Sequence, residues 1–150
     1  EKLYFLAGFV NWEMTELSDT SKLIFGVYNT ETYDTEIFIE EMTNKLNNNG
    51  KSHWKVTRFD EPLQIKKCHI LFIPSIETSE IIKITTHING TAIVTVGDNF
   101  SEFCKSGVMI NMLHNGNENK GSPFQINNTV TEESPVKISS QVMQISKLCE

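Results

Sequence analysis

Apolar positions fall along the chain in short blocks with two different spacings. In Glu1 to Trp12 they occupy 3, 5, 6, 9, 10 and 12, nearer a helical face than an alternation. "KLIFGVY" (22–28) is rich in branched and aromatic residues and predicts a strand. In "DTEIFIEEMTNKLNNNG" (34–50), Ile37, Phe38 or Ile39, Met42 and Leu46 share a helical stripe that the Asn-Gly run ends. "WKVTRF" (54–59) alternates as a strand does, and Pro62 breaks the segment after it.

"HILFIP" (69–74) is nearly all apolar, which suits a strand covered on both faces. "TSEIIKITTHING" predicts a helix, with Ser79 placed to cap it and Gly90 to end it. "AIVTVG" (92–97) predicts a second buried strand, and "GVMINMLHNGNENKGSPFQINN" an antiparallel hairpin around a polar turn. In the tail, Val136, Ile138, Val142, Ile145 and Leu148 recur at roughly helical spacing, with Pro135 near the start where proline is tolerated. Strands alternating with helices imply a mainly parallel sheet covered on both faces, with the hairpin as an antiparallel edge. The expected fold class is therefore a three-layer α/β/α domain, and 150 residues suit a single one, 1–150.

Composition removes several functions. A net charge of −6 with a single arginine, Arg58, leaves no basic stripe to track nucleic-acid phosphates. No apolar run reaches the length of a membrane span. His53, His69, His87 and His114 are dispersed, and Cys68, Cys104 and Cys149 form no CxxC pair, so no metal site is expected. No GxSxG elbow is present either. The three cysteines fit buried thiols in a reducing compartment, or one bridge plus one leftover in an oxidising one.

"VGDNFSEF" raises the question of a phosphate cradle, because strand, glycine, helix is how many nucleotide sites begin. It offers one glycine, Gly97, and then Asp98, whose carboxylate would repel a phosphate. The reading adopted is a corner: Gly97 permits the turn, and Asp98 or Asn99 caps the following helix. No cofactor motif remains.

The same block carries a likeness. Thr95-Val96-Gly97-Asp98, Gly107-Val108-Met109-Ile110-Asn111, Phe124-Gln125-Ile126-Asn127 and Val136-Lys137-Ile138-Ser139-Ser140 occur in the order and spacing of the YfiR family (DUF4154), a periplasmic domain that this chain resembles. Upstream, "FLAGFVNWE" is similar to its opening helix, "LIFGVYN" and "KKCHILFIPSIE" to two of its strands. Glu13 replaces a family proline, and the hairpin tip from Asn115 to Gly121 is longer and more polar.

The resemblance implies a non-enzymatic, exported regulator, a homodimer that represses an inner-membrane diguanylate cyclase by binding its periplasmic part, limiting cyclic-di-GMP signalling and biofilm formation. A second implied reading is the ligand-binding input domain of a larger envelope receptor. Its pocket is expected at the C-terminal strand ends, near Asn29, Thr30, Ser75, Asp98 and Asn99. Phe5, Phe9 and Trp12 on the opening helix either seat a partner or cover the sheet. Cys68 and Cys104 each precede a strand, at what would be one edge of a parallel sheet. For an exported family they are the candidate disulfide, with redox release acting through them. Cys149 is then a tail thiol or an intermolecular link.

Overall fold

The structure is a computed structural model that describes residues 2–7, 10–11, 23–28, 34–48, 54–65, 67–114 and 121–149. Five strands run parallel in the order β3-β2-β4-β5-β6: β2 (Leu23–Tyr28), β3 (Trp54–Phe59), β4 (Ile70–Ile73), β5 (Val94–Asp98) and β6 (Ile110–Met112). β7 (Phe124–Asn127) joins β6 antiparallel, and β9 (Ser146–Cys149) runs parallel to β7 outside it. A second, two-stranded pair joins β1 (Val10–Asn11) to β8 (Lys137–Ile138), antiparallel.

Side chains on a strand alternate between faces, and here both faces are buried. Ile70 and Phe72 of β4 enter one core with Phe25, Val27, Val94 and Val96. Leu71 and Ile73, one residue out of phase, enter the other with Cys68 and Phe103. α1 (Lys2–Ala7), α2 (Thr35–Asn47) and α5 (Ser140–Gln144) cover the first face with Leu3, Leu6, Met42, Leu46 and Val142. α3 (Thr78–His87) covers the second with Ile81 and Ile84. The three-layer α/β/α class is thus the one the pattern predicts.

Local signals set most element ends. The Asp34 carboxylate accepts from Ile37 N at 3.3 Å to start α2, as the Asn127 side chain does from Val130 N for α4 (Asn128–Glu133). At the other end of α2, the Asn47 amide takes both backbone groups of Trp54, at 2.8 and 3.1 Å, and so ties the helix to the start of β3. Ser79 does not cap α3. The helix begins one residue before it, after Glu77, which makes no side-chain cap bond.

The tail departs from its helical spacing. Ser139 accepts from Val142 N and starts a short helix, after which residues 146–149 extend as a strand. Val136 and Val142 are buried, but Ile145 and Leu148 are exposed, so the five apolar residues never share one face. β9, not the hairpin, is consequently the sheet edge. At the other terminus the described opening helix covers only Lys2–Ala7.

The disulfide is also different: it joins Cys104 to Cys149, with Cα atoms 5.6 Å apart, and Cys68 is a free, buried thiol. The expected Cys68–Cys104 pair fails because β5 lies between β4 and β6, and two strand spacings of about 4.8 Å exceed the roughly 7 Å Cα limit for a bridge. Cys104 lies beyond β6, where its carbonyl accepts from the Asn127 amide at 3.3 Å. Asn127 pairs in register with Cys149.

The bridge closes a separation of 45 residues, for which the chain-entropy model gives about 4 kcal/mol. A Cys104→Ser variant is therefore expected to unfold at lower denaturant by about 2–4 kcal/mol, and a Cys68→Ser variant to leave the bridge formed. Urea titration of both, with a free-thiol count, checks this.

Candidate functional site

In an open α/β sheet, ligands gather where strand order reverses, outside the carboxyl ends of the strands. Here β2 feeds β3 on one side and β4 feeds β5 on the other, so the reversal lies between β2 and β4. Tyr28 ends β2, and its hydroxyl donates to Glu80 Oε1 in the first turn of α3 at 2.6 Å. Burial first, and then the Glu80 carboxylate, raise the Tyr28 pKa well above its ordinary value, so the phenol stays protonated and acts as a strut. Ser75, just beyond β4, is exposed at the same end; Asn29 and Thr30 lie outside the described residues.

The Gly97-Asp98-Asn99 corner stands at this end too, at the close of β5. A Cβ on Gly97 would collide with the Phe100 ring, so the glycine makes room for a side chain of its own chain rather than for a phosphate. Asn99 adopts φ 56°, the left-handed region that asparagine tolerates, and its N–H bonds Met112 O at 2.9 Å. Neither Asp98 nor Asn99 caps a helix, because the next element is a 3-10 turn at Phe103–Lys105. Asp98, 6% exposed, meets the His114 ring at 2.6 Å, and the Asn99 side chain accepts from His114 N at 3.3 Å.

A residue that motif reading passes over holds the corner together. Asn111, fully buried in β6, accepts from Phe100 N at 2.8 Å and donates to Phe100 O at 3.1 Å. It substitutes for a missing strand partner where the chain turns away. Its signal in the sequence is an asparagine inside the apolar run "GVMINM".

The opposite end of the sheet carries a concave surface. A cavity of about 280 Å³ opens at the N-terminal ends of β5 and β6, between the last turn of α3 and the end of α4. A neighbouring groove, lined by Ile65, Lys67 and His87, shares Ile88, Thr91 and Ile93 with it. The Cys104–Cys149 bridge stands at this base as well. Cys68, entering β4, is sealed in the core; burial pushes its thiol up to about 12, which keeps it protonated and inert at neutral pH. On the first face, Phe5 is 36% exposed and stacks on Phe124 with ring centroids 6.1 Å apart, so it covers the sheet while keeping one side open. Phe9 and Trp12 lie outside the described residues.

Among the described residues no group of three His, Cys, Asp or Glu is placed to hold a metal ion. No described helix is long and apolar enough to cross a membrane. The YfiR/HmsC-like family model (DUF4154) matches residues 1–147. The chain belongs to the YfiR/HmsC-like family. No curated protein matches it. YfiR-like domains are a periplasmic type, regulatory rather than catalytic. A disulfide accords with an oxidising compartment. In this YfiR/HmsC-like domain the Gly-Asp corner, one of the matching sequence pieces, is built from internal contacts: Phe100 on Gly97, His114 on Asp98, Asn111 on the backbone of Phe100.

Asn111→Ala is accordingly expected to lower stability by about 1–3 kcal/mol, since it strands two buried backbone groups. Chemical denaturation measures it. An unchanged midpoint would show that the corner does not depend on this side chain.

Proposed function

We propose that this chain is a non-enzymatic periplasmic regulator that holds down an inner-membrane diguanylate cyclase by binding its periplasmic part, and so limits cyclic-di-GMP signalling and biofilm formation. The observation that carries the reading is family membership over residues 1–147. Two features of the site accord with it. Acidic groups at the carboxyl end of the sheet are engaged as struts, Glu80 by Tyr28 and Asp98 by His114, rather than gathered around a reacting centre. The Cys104–Cys149 bridge suits an exported protein.

Repression of this kind is a population shift, so the regulator must bind the inactive cyclase better than the active one. Moving the cyclase from 1:99 to 99:1 takes a preference of about 10⁴-fold, or roughly 5.5 kcal/mol. An apolar anchor suits such an interface, and Phe5, half open beside Phe124, is the described member of the aromatic set proposed to meet the partner. The active unit in this proposal is a homodimer.

Crosslinking of the tagged, exported protein in its native cell envelope, followed by mass spectrometry, is expected to recover a membrane diguanylate cyclase. Recovery of the self-dimer alone, in repeated captures, would overturn the repressor reading in favour of a ligand-binding input domain.

A further inference from the structure

The cavity at the base of β5 and β6 is not accounted for by the cyclase reading. We propose that it is a binding site for a small organic monoamine, held as its ammonium form, with a short apolar tail. The proposal stands independently of the repressor reading.

Its volume, about 280 Å³, lies just below the range of drug-sized ligand sites, roughly 300 to 1,000 Å³, and suits a smaller ligand. Ile88, Ile93, Met109 and Val130 give it an apolar floor. The wall between α3 and β6 is built in advance of any ligand. Gly107, at φ +78°, brings its backbone against Thr85, where a Cβ would meet Oγ1 at 3.0 Å, and Thr85 Oγ1 bonds Ser106 O at 2.9 Å.

Part of the polar lining presents acceptors, beside the side-chain donors of Asn89 and Ser134. Thr91 gives its hydroxyl proton to Ile88 O at 2.6 Å, and Thr85 gives its own to a carbonyl of α3 or to Ser106 O. What either presents outward is lone pairs. Two helices end here, α3 at His87 and α4 at Glu133, and the carboxyl end of a helix carries partial negative charge. Glu133 adds a full carboxylate on the exposed rim, and none of the described lining residues is basic. An ammonium brings three donors and a positive charge to this set, whereas a carboxylate or phosphate would face the Glu133 carboxylate and two helix carboxyl ends with no basic group in the lining to offset them.

The adjoining groove selects the other end of the ligand. It continues over Ile88 and Ile93 toward Ile65, with Lys67 on its lining. An apolar tail fits along that path, and a second positive charge would face Lys67. A monoamine is therefore preferred over a diamine of the same length.

The probes are n-pentylamine, 1,5-diaminopentane, 1-pentanol and pentanoate, titrated into the ¹⁵N-labelled chain with its disulfide intact and followed by amide shifts. Pentylamine is expected to shift Gly90, Thr91, Thr95 and Gly107 saturably. The diamine and the alcohol should bind several-fold more weakly, and pentanoate not at all. Glu133→Gln, an exposed substitution, is expected to weaken pentylamine about tenfold, while Val130→Phe fills the floor and abolishes the shifts. The proposal is overturned if pentylamine moves none of these amides, if pentanol matches it, or if Glu133→Gln binds as the parent does.

Discussion

Burial of both faces of the central strands is the constraint on which the rest of this structure depends. All four residues of β4 and all five of β5 are buried, and alternate side chains enter opposite cores. A sheet of this kind must be covered twice, so α2 packs on one face and α3 on the other. Placing the two crossovers on opposite faces makes the strand order reverse between β2 and β4. The same demand for burial takes polar groups inside at the ends of the strands. There they are kept only by being bonded: Asp98 by His114, Asn111 by the backbone of Phe100, Tyr28 by Glu80.

How much of this is legible in the sequence depends on the range of each interaction. "HILFIP" and "AIVTVG" announce buried strands because double-sided burial leaves no polar alternation to disguise them. Asp34 announces a helix start because a cap acts over three residues. The tail misleads for the opposite reason. The spacing of Val136, Val142 and Leu148 suits a helix, but pairing with β7 and the bond to Cys104 decide the conformation of residues 146–149, and neither partner is local. The position of Cys68 and Cys104 just before strands points each toward the other. The pairing that forms depends on β9 lying beside β7, which periodicity cannot express.

The site is legible in part, and in the same way. Asp98 and Asn99 stand out in sequence, and their corner is real, but its ties run to His114 and Met112 rather than to a helix start. The Tyr28–Glu80 contact spans 52 residues and leaves no trace in any short motif. The base cavity is assembled from three stretches, 85–95, 107–109 and 130–135, so no single stretch of sequence carries its lining. Ligand sites are expected at the carboxyl end of such sheets, yet the concave surface described for this chain is at the amino end, beside the disulfide that fastens the last strand.

The sheet of this YfiR/HmsC-like domain is fastened at its late edge by Cys104–Cys149, with the Cys68 thiol sealed in the core. This arrangement is tested most directly by peptide mapping of the protein taken from its native cell envelope, alkylated before and after unfolding. A Cys104–Cys149 linked peptide is expected, with a Cys68 that reacts only once the chain is unfolded. A Cys68–Cys104 link, or three thiols that all react in the folded protein, would contradict it.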